Sequence, residues 1–466
     1  MKWRQIKLIF LIFWHTLKRA KKRYLFLVLL GLALIFTLKA INFVKLPPKT
    51  VSEGVIGTYQ EHDIPEVVTR LISRSLVEVD QTGALVPGVS TWETNKDGTE
   101  FKFKLNSSFK WTDGTEFSSN DLEFFIPNAK VSYPDNLTIL FKLDESFSAF
   151  PALLTRPVFK KGTTIGIGPY KISNIFKSKI FITKLELEPM SVNLPKVAIR
   201  FYPNEKTALT AFSIGEVHSI LGVIALEEVS GNPQVKVTSK INFGRVVSVL
   251  YNVSDPFISS KPLRQALNYA SPKIENEELA KTPIPPSSWA FNNDAPIHLG
   301  DLDKAKGALE KAKESMAEDA LDKEIVLTTN PQYLNFGRQI VENWKKLGLN
   351  VSLREEAGIP QNFQSLLIAQ NIPADPDQYS LWHSTQTKTN LTKYSSPRVD
   401  KDLEDGRKTL NLEERKAKYI DFQKELAKDI PATFLFFPKY NIVYLKKAES
   451  ELKKILPIQL NEGIYR

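Results

Sequence analysis

The sequence predicts an α/β protein with mixed β-sheets, preceded by one N-terminal transmembrane helix. Three observations predict it. Phe101, Phe103 and Leu105 alternate with Glu100, Lys102 and Lys104, the period-two pattern of a half-buried strand. IVLTT (325–329) and LNVSL (349–353) flank a helical stretch over 334–347, where Phe336, Ile340, Val341, Trp344 and Leu347 fall on one face. Strand, helix and strand with short links favour parallel pairing. Residues 24–38, YLFLVLLGLALIFTL, carry no charge.

That apolar run continues through AINFVKL (40–46), and Lys39 near a helix end can snorkel to the interface. About 20 such residues cross a hydrocarbon core of roughly 30 Å. The cluster Lys18, Arg19, Lys21, Lys22 and Arg23 precedes it. Positive charge stays inside, so residues 1–23 are expected to be cytoplasmic, 24–46 a signal anchor, and the bulk exported across the cell membrane. A cleaved signal peptide is the rival reading, but the n-region is long and Leu38-Lys39-Ala40 is a poor small-x-small site. IKLIFLIFWHTL (6–17), with Trp3 and Trp14, is too short to span and reads as an interfacial segment on the inner leaflet, or as a merely apolar n-region.

The formal net charge of +10 belongs to this end. Eleven of the 62 Lys and Arg lie in residues 1–50 without one acid, leaving 51 basic against 52 acidic residues in the rest. The basicity is topological, and no nucleic-acid partner is expected. The absence of cysteine excludes disulfides, thiolate metal sites, cysteine nucleophiles and a lipid-modified cysteine.

Beyond Leu46-Pro-Pro-Lys49, a short stiff exit from the membrane, further strands read at 137–143, 180–187 and 197–202. A helix over 411–428 has Asn411 as cap, Glu414 in capping-box position, and a stripe of Leu412, Tyr419, Phe422 and Leu426. Strands at 433–437 and 441–445 are separated by Pro438. Pro283, Pro285 and Pro286 before Trp289 make a loop that cannot be helical.

Catalytic signatures are absent: no HExxH, G-x-S-x-G, Walker loop or EF-hand loop. His15, His62, His218, His298 and His383 have no metal-ligand spacing, and neither a metal nor a cofactor is expected. Glu61-His62-Asp63 reads as a solvated loop, and Gly166-Ile-Gly168-Pro169 as a tight turn before a strand, since Pro169 lacks the N–H a phosphate cradle needs. Asp375 and Asp377 flank a proline, where Asp commonly makes Asx turns. Trp382-His383 follows, and Tyr59 and Trp289 also lie in loop-like sequence. Aromatic rings beside such loops line pockets or pack in cores.

Residues 71–125 carry a resemblance. Asp80, Gly83, Pro87, Trp92, Glu93, Asp97, Gly98, Asp113, Gly114, Thr115 and Asp121 follow the opening signature of extracellular solute-binding proteins of the peptide/nickel type, family 5, which serve ABC importers. Asp97-Gly98 and Asp113-Gly114 are turns bracketing strand 100–105, and Ser118 or Ser119 can cap a helix beginning near Asn120. GIGPY (166–170), LYNVSDPFISSKPLRQALNYA (250–270), PPSSW (285–289), DPDQY (375–379), YSSPRVDKDLEDGRK (394–408) and the 411–431 helix with its Pro also resemble family segments, in the family's order. The likeness spans roughly 51–445.

The resemblance implies a two-lobed periplasmic-binding-protein-like fold (type II, peptide-binding cluster), with solute bound in the interlobe cleft and closure by hinge motion. Lobe I is then 51–253, with 440–466 returning to it, and lobe II is 254–439. The crossings are expected near Tyr251–Ser254 and Phe437–Tyr440. Several family members hold a peptide α-amino group with an Asp three residues before the Asp-Pro-Asp equivalent. Here that position is Ile372, with Asn371 before it, so the ion pair is missing. Only IPNA separates Phe125 from Lys130, where the family has a longer helical excursion, so the first lobe is trimmed. With no cysteine, the signal anchor replaces a lipid tether.

The expected function is a membrane-tethered extracytoplasmic solute-binding protein. It would bind oligopeptides or a similar small solute for ABC permease subunits, without covalent chemistry. Tyr59, Asn252, Trp289, Asp375, Trp382 and His383 are expected to line the cleft. The alternative is a cell-surface receptor that uses the same fold without transport.

Overall fold

The computed structural model describes residues 7–12, 14, 15, 18, 49–229, 231–317 and 323–460. Residues 7–12 are helical, while the expected span 24–46 lies outside the described residues. Among the described residues no helix is long and apolar enough to cross a membrane. Residues 1–49 and 50–466 are separate units, and all the sheets belong to the second.

The first large sheet has seven strands. From edge to edge they are Val235–Ile241, Lys439–Leu445, Ser219–Val223, Thr50–Ile56, Lys196–Tyr202, Phe181–Pro189 and Tyr170–Ser178. The central strand Thr50–Ile56 pairs in parallel with both neighbours and the remaining pairs are antiparallel, so the sheet is mixed. Helices Glu66–Ile72 and Glu449–Gln459 bury Val68, Leu71, Leu452 and Ile455 with residues of this sheet. The turn before strand Tyr170–Ser178 passes so close to that first helix that a Cβ on Gly166 or Gly168 would run into the Ile72 carbonyl.

A four-stranded antiparallel sheet carries the alternating strand. Glu100–Leu105 buries Phe101, Phe103 and Leu105 and turns Lys102 and Lys104 outward. Phe150 meets Phe101 at 4.9 Å and Phe141 at 5.0 Å between ring centres, an aromatic core suited to a small sheet. The helix expected near Asn120 is instead one 3-10 turn, Ser119–Asp121, with the Ser118 hydroxyl accepting the Asn120 N–H at 3.4 Å. Pro127 and the left-handed Asn128 (φ 61°) deliver the chain into the next strand before a longer helix can nucleate.

The other large sheet has six strands: Glu278–Leu279, Ala432–Phe437, Arg245–Tyr251, Ser365–Asn371, Ile325–Thr329 and Val351–Glu355. Ile325–Thr329 runs parallel to Val351–Glu355, with helix Leu334–Lys345 between them in sequence. Helices Lys261–Ala270, Leu302–Ser315 and Leu334–Lys345 pack around buried Trp344, whose indole N–H reaches Leu267 O at 2.9 Å. Helices Pro397–Lys408 and Leu412–Asp429 contribute to a separate core with Leu250, Leu366 and Trp382. Asn411 caps the longer of these two, its Oδ1 accepting N–H groups of Glu413 and Glu414. That helix ends on Ile430 in the left-handed region (φ 49°). Buried Arg264 satisfies the carbonyls there, its Nε donating to Ile430 O and its Nη2 to Asp429 O, both at 2.9 Å.

The chain passes from the first large sheet to the second at Asn242–Gly244, not near Tyr251–Ser254. The run VVSVLY is the buried interior of the second sheet, and Tyr251 ends that strand. The break is made by Asn242, whose Oδ1 accepts the Gly244 N–H at 3.0 Å. The return passage falls at Pro438. The two crossings touch, because the Asn242 N–H donates to Pro438 O at 2.8 Å. Two α/β lobes are thus joined by two adjacent crossings.

Candidate functional site

A cavity of about 1640 Å³ opens where these crossings meet, and both lobes line it. The first lobe contributes Tyr59, Arg70 and Phe147, among others; the second contributes Arg245, Tyr333 and Asp377. Pro438, Lys439 and Tyr440 form part of its wall beside the crossings.

Tyr59 is on this wall. The Ile182 N–H donates to its carbonyl at 2.8 Å, and its hydroxyl donates to Ile56 O at 2.8 Å. Its ring meets Phe201 edge-on at 5.4 Å, and burial, with the nearby Asp63, raises the phenol pKa. A neutral, half-buried ring held at both ends is a rigid apolar surface with little entropy left to lose.

Asp375 also reaches the cavity, but its charge is committed. Arg415 forks onto it, with Nη2 to Oδ1 at 2.7 Å and Nη1 to Oδ2 at 3.1 Å. Burial pushes the Asp375 carboxyl above its ordinary range while the guanidinium pulls the other way. The neighbouring Asp377 is likewise taken, receiving both Nε and Nη2 of Arg407 at 3.0 Å. The Asp-Pro-Asp loop is therefore a pair of carboxylates each clamped by an arginine from the helical layer.

The other four expected residues are not on the wall. Asn252 lies just past the far end of strand Arg245–Tyr251, about 20 Å from the end that meets the cavity at roughly 3.3 Å per residue. There its Nδ2 donates to Phe363 O, and its Oδ1 accepts from Ser254, an Asx turn. Trp289 packs behind the wall, edge-on to Tyr419 at 6.0 Å and 5.2 Å from the Arg415 guanidinium. Trp382 is 1% exposed and packs against Phe434. His383 is 3% exposed, held by Thr385 at 2.8 Å and Glu404 at 3.2 Å. A Trp-His pair after a polar loop has the same local signature whether it faces a cavity or a core, and here the core takes it.

His383 nevertheless supports the wall. Its ring stacks on Tyr379 at 4.0 Å, and Tyr379 lies 4.1 Å from the Arg407 guanidinium. Arg407 in turn lies 4.6 Å from the ring centre of Phe147, in the other lobe. Sequence reasoning missed Arg245, Arg407 and Arg415. Arg245 had one available signal, a lone cation heading a strand otherwise apolar but for Ser248. Ile372, at the position where the resemblance places an Asp, lines the cavity, and its N–H donates to Gly244 O at 2.8 Å. Among the described residues no three His, Asp or Glu converge as a metal-binding group.

Comparison with known proteins agrees with this architecture. The model for bacterial extracellular solute-binding proteins, family 5, matches residues 87–391. The oligopeptide-binding protein AppA of Bacillus subtilis is 23% identical over 432 residues, covering 76% of this chain and 78% of its own. Among solved structures, NikZ from Campylobacter jejuni in complex with Ni(L-His) superposes with a TM-score of 0.70 at 21% identity, covering 86% of this chain and 95% of that one. DppA from Helicobacter pylori in complex with the peptide STSA superposes with a TM-score of 0.68 at 19% identity, covering 87% and 96%. The chain belongs to the bacterial extracellular solute-binding proteins of family 5.

Proposed function

We propose that the chain is a membrane-tethered, extracytoplasmic binding protein that presents peptides or a similar small solute to the permease of an ABC importer. The observation that carries this reading is the cavity, about 1640 Å³ between two lobes joined by two adjacent crossings. Such a joint lets one lobe close on the other around a solute. Relatives add support, since they include an oligopeptide-binding and a dipeptide-binding protein. In this reading Tyr59 contacts the solute, while Asp375 shapes the wall through Arg415. Asn252, Trp289, Trp382 and His383 act behind it. Residues 24–46 would anchor the chain, with 1–23 cytoplasmic. Leu8, Ile9 and Phe10 are exposed on the short helix 7–12, apolar surface that a leaflet would cover.

Thermal-shift measurement with peptide, sugar and metal-complex libraries tests the ligand class. A ligand at 100 times its Kd stabilises by about 2.7 kcal/mol. Peptides are expected to shift the melting point; a shift with sugars or metal complexes alone would overturn the peptide reading. Protease added to intact cells should digest the two lobes, and their protection would overturn export. Deleting the chain should stop uptake of a labelled peptide; unchanged uptake would favour a receptor without transport.

A further inference from the structure

Arg245 and Lys439 are the two half-buried cations of the cavity wall whose charged heads have no described acid within 4.0 Å, and Arg245 differs from Lys439 in having a buried donor without a partner. Glu66 is paired with Arg70 at 2.7 Å, Asp375 with Arg415 at 2.7 Å and Asp377 with Arg407 at 3.0 Å. Arg156 and Glu275 are exposed to solvent. Arg245 is half-buried, its Nε is shielded from solvent without a hydrogen-bond partner, and no described acid lies within 4.0 Å of its guanidinium. Glu277, on the same wall, is beyond that distance. Its carboxylate accepts the backbone Lys439 N–H at 3.2 Å; burial raises its pKa, while that hydrogen bond and the Lys439 charge oppose the rise. A guanidinium held partly out of water with an empty donor is costly unless something pairs with it. Nε itself is out of reach, but Arg245 lines the cavity, and a partner can meet its terminal nitrogens from there.

The surroundings fit an anion. Tyr333 lines the same wall, and burial raises its phenol pKa, so it stays a protonated donor beside the cavity. Asn371, directly opposite Arg245 in the strand register, also faces the cavity. Arg245 is the first residue of its strand after the Asn242–Gly244 crossing. An anion held there is fixed to the second lobe at the hinge, the place where lobe closure is controlled.

We infer that Arg245 is the anion-holding residue of the cavity and that the solute carries a carboxylate reaching the hinge-side wall, with Tyr333 as second donor. This rests on the solute-binding reading above. The carboxylate can belong to the C-terminus of a peptide or to a small organic acid.

The test uses the full-length chain in detergent, with affinities from titration calorimetry and melting points recorded without ligand. Three probes are compared on wild type: a random pentapeptide pool with free C-termini, the same pool C-amidated, and glutarate. The free-acid pool should bind, and amidation should weaken it by about tenfold to a hundredfold, the range for losing a hydrogen bond to a charged group. Arg245→Gln should lose the same factor for the free-acid pool and bind both pools alike, with Arg245→Lys between. Binding of glutarate in preference to peptides, lost in Arg245→Gln, would assign the carboxylate to an organic acid. Equal binding of both pools by wild type overturns the inference while leaving the solute-binding reading intact, and this comparison needs no variant to fold. Undiminished free-acid binding by a folded Arg245→Gln overturns it too. If none of the probes binds wild type, the peptide reading fails and the inference falls with it.

Discussion

The guanidinium of Arg407 lies 4.6 Å from the ring centre of Phe147, and these residues belong to opposite lobes. Around them the backbone is stitched as well: the Ser148 N–H donates to Arg407 O at 2.8 Å and the Ser146 hydroxyl to Lys408 O at 2.8 Å. The Arg407 head is oriented by Asp377 and lies over Tyr379, which His383 stacks upon. This seam closes one side of the cavity.

Phe147→Ala should therefore loosen closure without touching the hinge. A cation–π contact is worth about 0.5–2 kcal/mol depending on desolvation. Solute release measured by stopped flow should accelerate roughly twofold to thirtyfold, on the rule that 1.4 kcal/mol is tenfold. The ligand-free melting point should move little, because Phe147 sits at the edge of its core rather than within it. An unchanged release rate would remove the seam from closure.

The pair Asp375–Arg415 makes a different prediction, because both side chains are buried. Removing one partner leaves an unpaired charge in low dielectric, costing about 3–5 kcal/mol. Arg415→Met should thus lower stability sharply in denaturant titration. Asp375→Asn should do so less, since the amide oxygen can still accept from Arg415. If Arg415→Met melts like wild type, the clamp is not structural.

Arg264 is predicted to matter to stability as much as any core apolar residue. It donates to four carbonyls, those of Ile258, Ser259, Asp429 and Ile430. Two of these close helix Leu412–Asp429 and hold Ile430 in its left-handed conformation. Arg264→Met keeps the apolar stem but strands buried acceptors at about 1–3 kcal/mol each. Hydrogen exchange should speed up first in residues 425–432. Uniform exchange across the lobe, with no local change, would contradict a capping role.

Where periodicity acts within one element, the fold was legible. Strand Glu100–Leu105, helix Leu334–Lys345 and the Asn411 cap follow from neighbours four residues apart or fewer, and the parallel pairing around that helix from the order of its elements. The cavity wall depends on partners far apart in sequence. Asp375 meets Arg415 across 40 residues and Asp377 meets Arg407 across 30. No local pattern says which arginine neutralises which aspartate, so Asp375 read only as an Asx-turn or cleft-lining residue and not as a clamped one. Asn252 was misplaced for a related reason: the strand before it is apolar throughout its centre, and nothing in such a run marks the end that points at the hinge. Tyr59 reaches the cavity because its loop follows a strand on that side.

Glu53 gives a prediction about pH. It sits fully buried in the central strand of the first large sheet, accepting from the Gln459 amide at 2.6 Å and the Ser219 hydroxyl at 3.3 Å. Burial raises its pKa from 4.5 to about 7, with those two hydrogen bonds opposing. The folded state therefore holds a proton that the unfolded chain releases at lower pH. Its contribution to stability is fully present below about pH 4.5 and is lost as pH rises through about 7. At 1.36 kcal/mol per unit the loss is of the order of 3 kcal/mol. Gln459 lies at the end of helix Glu449–Gln459, so the strain should appear there first. Chemical denaturation of the full-length chain at pH 5 and pH 8 should show this drop, and hydrogen exchange should rise in residues 449–460 at the higher pH. Glu53→Gln keeps the shape and removes the titration, so its stability should vary less between the two pH values. An identical pH dependence in that variant would assign the effect to another group.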